Sequence, residues 1–133
     1  MDKYRLLLVE DDLFLRDLYT ETLQSAGYTL DTAANGQEAY DKMKKGGYDL
    51  VLLDIVLPIM DGIEIMRKLK DDPVAGKNKC VVFLTNLDNE ADIKAALELG
   101  SGYIIKSQIT PADLLNEVKV YLEKINNSVP GSK

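Results

Sequence analysis

The sequence contains no histidine and only one cysteine, Cys80, among its 133 residues. A single cysteine cannot form a disulfide within the chain, so we expect Cys80 to be a small apolar side chain in a strand. Without histidine, the usual zinc sites and serine-histidine-aspartate triads cannot be built. The chain is therefore not expected to carry out zinc or serine-triad chemistry.

The sequence also lacks a long uncharged run, since none approaches the roughly 18 residues that span a membrane. Basic residues are outnumbered, with 16 Lys and Arg against 22 Asp and Glu, and the net charge is −6. An excess of negative charge discourages binding to nucleic acid and to anionic lipid. We therefore expect a cytoplasmic protein that binds neither membranes nor nucleic acid directly.

Length and composition favour one globular domain. The chain has 133 residues, of which 46% are apolar and 29% charged, as in soluble proteins with a single core. The apolar periodicity stops after Ile125, and Pro130 and Gly131 follow. Residues 1–126 are predicted to form the domain, and residues 127–133 a tail or the start of a linker.

Short apolar runs alternate about five times with longer stretches of helical period. Most of these runs are continuous, which indicates strands buried on both faces of a parallel sheet with helices on each side. The run at 29–33 mixes polar and apolar residues and is predicted to be an edge strand. The predicted strands are 6–9, 29–33, 50–53, 81–84 and 103–105, and the predicted helices are 15–26, 36–45, 61–70, 89–99 and 111–125.

The ends of these helices carry recognisable signals. Gly27 stands where a left-handed residue ends the first helix. Thr110 precedes Pro111, as a capping residue precedes proline at the first helical position. The first and last helices are therefore well defined by sequence.

Polar side chains follow four of the five apolar runs. Because the carboxyl ends of parallel strands lie along one edge of a sheet, we expect these side chains to converge there. If the strand order is 2-1-3-4-5, the point where connections change face lies between the strands that end at Glu10 and Asp54. The polar residues are Glu10, Asp11 and Asp12 after the first strand, Asp54 after the third, Thr85 after the fourth and Lys106 after the fifth.

Carboxylates that converge in a cleft repel each other, and the ordinary remedies are proton uptake or a bound cation. Carboxylate oxygens suit Mg²⁺, which also accepts a phosphate oxygen. A metal between Asp54 and an incoming phosphoryl group would neutralise charge during transfer. Lys106 would supply a mobile positive charge and Thr85 a hydroxyl donor.

Each of these residues also has a purely structural interpretation. The acidic cluster can be the first turn of a helix, with Asp12 capping amide groups, and for Asp12 this role is favoured. Asp54 and Thr85 can simply end strands. Lys106 can reach solvent from an edge strand, and Tyr103 can pack with its hydroxyl in water.

In order and spacing, these motifs resemble those of the receiver domains of two-component response regulators, over residues 4 to about 125. Residues 7–12 resemble the acidic cluster of that family, and residues 54–58 with 61–62 resemble its phosphorylation-site signature. Thr85 resembles the switch threonine, Tyr103 the switch aromatic residue and Lys106 the essential lysine.

The resemblance implies a doubly wound, five-stranded parallel sheet of order 2-1-3-4-5 with five helices, a flavodoxin-like α/β fold. It implies that Asp54 is the phosphoacceptor and that Thr85 and Lys106 hold the phosphoryl group. The implied Mg²⁺ ligands are Asp11, Asp54 and the Val56 carbonyl directly, and Glu10 through water. Thr85 and Tyr103 would be the switch residues.

The implied partners are a sensor histidine kinase or phosphotransfer protein as phosphodonor, and a downstream protein target or output domain. Phosphorylation would remodel the surface of the fourth helix, fifth strand and fifth helix, and a phosphorylation-dependent homodimer is a further expectation. The chain would be a signalling phosphoacceptor that promotes its own phosphorylation and slow aspartyl-phosphate hydrolysis, rather than an enzyme.

Two positions depart from the family pattern. Ser107 follows the lysine where proline with a cis peptide is usual, and a cis bond before a residue other than proline costs about 2.5 to 4 kcal/mol. Asn86 follows the switch threonine where a small residue is usual.

Three other functions can be compared with the sequence. A phosphatase resembling haloacid dehalogenases needs a second aspartate two residues after the nucleophile, where this chain has Val56. A dinucleotide-binding protein needs a Gly-x-Gly-x-x-Gly motif after the first strand, which is absent. An interaction domain that is never phosphorylated stays open because of Asn86 and Ser107.

Overall fold

The computed structural model describes residues 4–86 and 90–127. In this part of the chain, five parallel strands form one sheet in the order β2-β1-β3-β4-β5, with five α-helices around it. The predicted α/β fold class and strand order are confirmed. The elements are β1 (Arg5–Val9), α1 (Leu13–Ser25), β2 (Thr29–Ala33), α2 (Gly36–Lys45), β3 (Leu50–Asp54), α3 (Gly62–Lys70), β4 (Val81–Thr85), α4 (Glu90–Leu99), β5 (Gly102–Ile105), a 3-10 turn (Lys106–Gln108) and α5 (Pro111–Asn127).

The two faces of the sheet bury separate hydrophobic clusters. Because successive side chains of a strand point to opposite faces, Leu6 and Leu8 enter one cluster while Leu7 and Val9 enter the other. Strands β3 and β4 are buried at every position, as their continuous apolar runs predict. Helices α1 and α5 cover the first face, and α2, α3 and α4 cover the second.

Polar residues cap the helices where the sequence predicts. Asp12 accepts a hydrogen bond from the Leu15 amide at 3.0 Å, which confirms its capping role in α1. Thr110 and Asp113 accept each other's amide hydrogen at 3.1 and 3.0 Å and so form a reciprocal cap on α5. Gly27 has φ +97° after α1, in the predicted left-handed region.

Element boundaries differ from the predictions by one or two residues. Asp54 and Thr85 are the last residues of their strands rather than the first residues after them. Helix α5 continues to Asn127, and the Asn126 side chain donates a hydrogen bond to the Tyr4 hydroxyl, which anchors this last turn. Asn89, where the fourth helix is predicted to start, and residues 128–133 of the predicted tail lie outside the described residues.

Among residues 4–86 and 90–127, no helix combines the length and the apolar character needed to cross a lipid bilayer.

Candidate functional site at the carboxyl edge of the sheet

Asp54 occupies the centre of the carboxyl edge. It ends β3, which lies between β1 and β4, and the chain leaves β1 and β3 toward opposite sides of the sheet. Clefts at such a point bind ligands in open α/β sheets. The residue is 4% exposed, so its carboxylate is held in a largely dry position at the mouth of this cleft.

Lys106 bridges Asp54 to Glu10 across the edge. It follows β5, two strands away from β3, and its Nζ lies 2.8 Å from Asp54 Oδ2 and 2.7 Å from Glu10 Oε1. Lys106 is 8% exposed and Glu10 is 0% exposed. The alternative in which Lys106 reaches solvent from an edge strand is therefore wrong.

Burial and charge pull the pKa values of this cluster in different directions. Burial raises the pKa of Asp54 from 3.8 to about 7; Lys106 opposes this shift and the negative charge of Glu10 adds to it. Burial lowers the pKa of Lys106, but its hydrogen bonds to Asp54 and Glu10 outweigh burial and raise the pKa above 10.5. One ammonium thus faces two carboxylates, and the cluster attracts a further positive charge.

Asp11 completes a group of three acids that fits a divalent cation. Oxygen atoms of Glu10, Asp11 and Asp54 all lie within 4.8 Å of one another. Asp11 is exposed, so the group is open to solvent on its side. An all-oxygen donor set with an open side suits Mg²⁺, which retains several waters when it binds proteins.

The backbone around Glu10 is fixed by the start of α1. The Asp12 amide donates to Glu10 Oε2 at 3.2 Å, and Arg16 Nη1 donates to the Glu10 carbonyl at 2.9 Å. Asp12 therefore caps the helix, while Glu10 turns toward the cleft. Arg16 was not predicted at the site, because nothing in the sequence shows that its side chain folds back over the preceding turn.

Thr85 lies on β4, next to β3, and Tyr103 lies on β5, the following strand of the sheet. Thr85 is buried at the end of β4, one residue beyond Leu84, which pairs with Asp54. Tyr103 pairs with Phe83 in β5, is partly buried and packs against the cluster beneath α2, α3 and α4. Thr85 shares the edge with Asp54, whereas Tyr103 lies two residues before its strand ends.

Three more positions bear on the predicted site. Val56 follows Asp54 by two residues, and it is 64% exposed. Asn86 and Ser107, the two departures from the family pattern, are both exposed. The peptide between Lys106 and Ser107 is trans, and Lys106 is the first residue of the 3-10 turn Lys106–Gln108.

Tyr19 is a further neighbour of the cluster formed by Lys106, Glu10 and Asp54, and no motif in the sequence indicates it. This residue of α1 is buried in the cluster beneath α1 and α5. Burial raises its pKa, Lys106 lowers it, and the charges of Glu10 and Asp54 raise it further. Tyr19 lies within α1, and only the packing of α1 on the sheet brings it near the polar cluster.

Comparison with known proteins identifies one family throughout. The family model described as "Response regulator receiver domain" matches residues 6–119. The transcriptional regulatory protein CrdR of Helicobacter pylori is 32% identical over 126 residues, covering 95% of this chain and 56% of CrdR. The alkaline phosphatase synthesis transcriptional regulatory protein PhoP of Bacillus subtilis is 30% identical over 129 residues, covering 97% of this chain and 52% of PhoP. The chain spans about half the length of these two relatives.

Solved structures agree on the fold. A CheY-like response regulator receiver domain protein from Methanospirillum hungatei is 29% identical, with a TM-score of 0.82. The match covers 96% of this chain and 100% of that one. The similarity therefore extends over the whole domain.

Proposed function

Because this chain belongs to the response regulator receiver domain family of two-component systems, we propose that Asp54 is its phosphoacceptor. The observation that carries this proposal is the buried Asp54 carboxylate, which has the Lys106 ammonium 2.8 Å away and the acids Glu10 and Asp11 beside it. A nucleophile needs such a setting to approach an anionic phosphoryl group, because positive charge must offset the repulsion between the two.

In the proposed reaction, an Asp54 carboxylate oxygen attacks the phosphorus of a phosphohistidine on a partner. The new O–P bond forms as the P–N bond breaks, and the electron pair leaves with the imidazole. Lys106 moves from pairing two carboxylates to pairing an oxygen of the transferred group. Thr85, at the end of the adjacent strand, donates its hydroxyl to another phosphoryl oxygen.

We propose that Glu10, Asp11, Asp54 and the Val56 carbonyl hold Mg²⁺. When bound, the ion would neutralise negative charge on the phosphoryl group and on the carboxylates. The fit rests on the three carboxylates whose oxygens lie within 4.8 Å of one another. Val56 is included because it lies two residues beyond Asp54, the last residue of β3.

The proposed signal is a change of surface rather than turnover of a substrate. Thr85 would move toward the phosphoryl group and Tyr103 would fill the space it leaves, which remodels the surface of α4, β5 and α5. A downstream protein target, an output domain or a second copy would recognise that surface. Slow hydrolysis of the aspartyl phosphate would restore the starting state.

Exposed apolar side chains around the cleft support a protein as the phosphodonor. The exposed fraction is 74% for Phe14, 64% for Val56 and 75% for Ile59, and Leu13 is also exposed. All lie in segments that follow β1 or β3 at the carboxyl edge. Several such side chains at the rim of one cleft favour contact with another protein. We propose that a sensor histidine kinase or phosphotransfer protein covers them in the cytoplasm.

Intact-protein mass spectrometry tests the assignment of Asp54. The purified chain is incubated with acetyl phosphate and Mg²⁺, and we expect it to gain the mass of one phosphoryl group. The D54N variant should gain none, because an amide oxygen is a far weaker nucleophile than a carboxylate. The D41N variant, which changes an exposed aspartate of α2, should react like the wild type.

Two results would contradict the proposal. One is absence of the phosphoryl mass on the wild type, and the other is equal gain by D54N. Turnover of phosphate monoesters well beyond the amount of protein would instead support a phosphatase, although Val56 offers no acid for the leaving group.

Beryllofluoride with Mg²⁺ distinguishes a switch from an interaction domain that is never phosphorylated. If the proposed response is right, NMR shifts should change at Thr85 and Tyr103 as well as at Asp54. Silent spectra at Thr85 and Tyr103 would favour constitutive contacts.

A further inference from the structure

A second concave site lies at the opposite edge of the sheet from Asp54. It is a cavity of 330 Å³ near the start of β4, where the ends of α2, α3 and α4 meet the segment before β4. This volume lies within the range of about 300 to 1,000 Å³ typical of small-molecule sites. None of the residues proposed to act at Asp54 lines it.

The floor of this cavity is apolar. It is formed by Met43, Met66, Leu69, Val81 and Leu99. Met43 and Val81 are buried core residues, so the cavity reaches the hydrophobic cluster beneath α2, α3 and α4. Methionine side chains adapt their shape to irregular contacts, which suits a floor that accepts an apolar ligand.

One wall is held in place by hydrogen bonds between two segments. The Gly76 amide donates to the Lys44 carbonyl at 2.7 Å, and the Gly47 amide donates to the Lys77 carbonyl at 2.9 Å. The Asn78 side chain adds two more, accepting from the Tyr48 amide at 3.2 Å and donating to the Met43 carbonyl at 3.1 Å. A wall fixed before binding lowers the entropic cost of taking up a ligand.

The same wall depends on close approach of the two backbones. A Cβ added to Gly76 would collide with the Lys45 carbonyl group, and Gly46 has φ +75°. Side chains other than hydrogen are therefore strained at both positions. The cavity is thus a built feature of the fold rather than a gap between mobile loops.

The rim of the cavity carries more positive than negative charge. Lys70 and Lys77 lie on it together with one acid, Glu98. Among the described residues, neither lysine forms an ion pair. A lysine in the last turn of a helix, as Lys70 is, stabilises the helix dipole, but Lys77 lies in the segment before β4 and has no such role.

We propose that this cavity binds a small amphipathic anion. The apolar or aromatic body of the ligand rests on the methionine and leucine floor, and its single carboxylate, sulfonate or phosphate group lies between Lys70 and Lys77. Leu99 is the last residue of α4, so the ligand restrains that end of the helix. Any effect on phosphorylation signalling rests on the function proposed above, but binding itself does not.

A matched pair of fluorescent probes tests the proposal on the intact chain. The anion 1-anilinonaphthalene-8-sulfonate should bind saturably with one-to-one stoichiometry. N-phenyl-1-naphthylamine has the same aromatic body without the sulfonate, and it should bind more weakly. The K70Q/K77Q variant should lose about tenfold in affinity for the anion and none for the neutral probe. The K94Q/K119Q variant, altered on exposed lysines away from the cavity, should behave like the wild type.

A substitution that fills the cavity provides a second test of the proposal. M66W should abolish binding of both probes while the melting temperature stays near that of the wild type. If M66W does not fold, amide shifts of the wild type decide, and they should change at Gly76, Lys77 and Leu99 on addition of the anion. The proposal is overturned by non-saturable binding, by equal affinity of K70Q/K77Q, by binding that survives in folded M66W, or by shifts elsewhere.

Discussion

The buried charge of Asp54, which the proposed phosphorylation requires, lowers the stability of the folded chain. The carboxylate is buried beside Glu10, and Lys106 is shared between the two acids. A carboxylate whose pKa is about 7 in the folded state and 3.8 when exposed binds its proton more tightly in the folded chain. The contribution of Asp54 to stability therefore falls as the pH rises from about 4 to about 7, because the folded state must give up that proton.

D54N should stabilise the chain in Mg²⁺-free buffer at alkaline pH. The amide keeps the shape of the side chain, carries no charge and still accepts a hydrogen bond from Lys106. Above pH 8 the gain in the free energy of unfolding should be roughly 2 to 4 kcal/mol, and near pH 4 it should vanish because the wild-type carboxyl is then protonated.

Urea unfolding of both proteins across this pH range measures the difference. D41N serves as the control, since an exposed aspartate should show no such trend. A constant difference between wild type and D54N would mean that the buried charge of Asp54 is not what destabilises the site.

Ile59 has a strained backbone conformation, and its side chain is exposed, so burial does not offset the strain. It is the non-glycine residue with positive φ in the described chain, at +77°, and it is 75% exposed. A β-branched side chain in the left-handed region costs about 1 to 2 kcal/mol. The neighbouring backbone fixes this turn, because the Gly36 and Met60 amides both donate to the Pro58 carbonyl.

I59G should raise the free energy of unfolding by roughly 0.5 to 1 kcal/mol. Relief of the strained φ outweighs the greater freedom that glycine gains on unfolding. I59V retains the β-branched side chain and should match the wild type. Thermal unfolding compares the three, and a lower stability of I59G would show that the Ile59 side chain makes contacts worth more than its strain.

At the scale of elements, one carboxylate of the edge strand β2 adds to its pairing with β1 by linking it to α2 and to the segment before β3. Asp31 accepts hydrogen bonds from the Tyr48 hydroxyl at 2.7 Å and from Lys42 Nζ at 3.0 Å. Burial raises the pKa of Asp31, but these two partners outweigh it and the pKa falls below 3.8. The Arg5 guanidinium lies 4.4 Å from the centre of the Tyr48 ring. The four side chains connect α2 and β2 to the start of β1 and β3.

Y48F should lower the free energy of unfolding by roughly 1 to 2 kcal/mol at neutral pH, because it removes a donor from the Asp31 carboxylate. Burial and the hydrogen bond to Asp31 raise the pKa of Tyr48 from 10.0 to about 12. The contribution of its hydroxyl is therefore complete below pH 10 and is lost as the pH rises toward 12.

Denaturant unfolding of Y48F and of Y40F, altered at the partly exposed Tyr40, checks this. The difference between wild type and Y48F should shrink between pH 10 and 12, while Y40F should stay close to the wild type throughout. If the difference in the free energy of unfolding between wild type and Y48F does not change with pH, the loss of stability comes from packing rather than from the hydrogen bond to Asp31.

At the scale of the whole molecule, the sheet brings together acids from two strands that are far apart in sequence. Glu10 and Asp54 meet because β1 and β3 are neighbours, and Asp11 joins them from the β1–α1 connection. Binding of a cation to the folded state alone stabilises the whole domain by mass action.

Mg²⁺ should raise the free energy of unfolding of the wild type by about 2.7 kcal/mol at a concentration one hundred times its dissociation constant. D11N should lose most of this effect while changing metal-free stability little, because Asp11 is exposed. Calorimetry at matched ionic strength separates specific binding from screening. Equal stabilisation of D11N would remove Asp11 from the proposed metal site.

The sequence by itself determined the layers of the fold and the edge of the sheet at which the candidate site residues lie. Continuous apolar runs that alternate with helical stretches favour buried parallel strands, and the polar residues that follow four of the five runs then lie on the same edge. The positions of Glu10, Asp54, Thr85 and Lys106 follow from that local pattern. Asp12 and Thr110 as caps follow from the nearest few residues alone.

Tertiary structure alone decided what those residues touch. Lys106 pairs with both Glu10 and Asp54, and Tyr48 donates to Asp31, because the fold brings distant segments together. Arg16 is near Glu10 in sequence, but the path of its side chain back to the Glu10 carbonyl is also set by the folded structure. The cavity at the opposite edge is assembled from four elements, none of which signals it. Such features arise from contacts between residues far apart in sequence, which local periodicity does not encode.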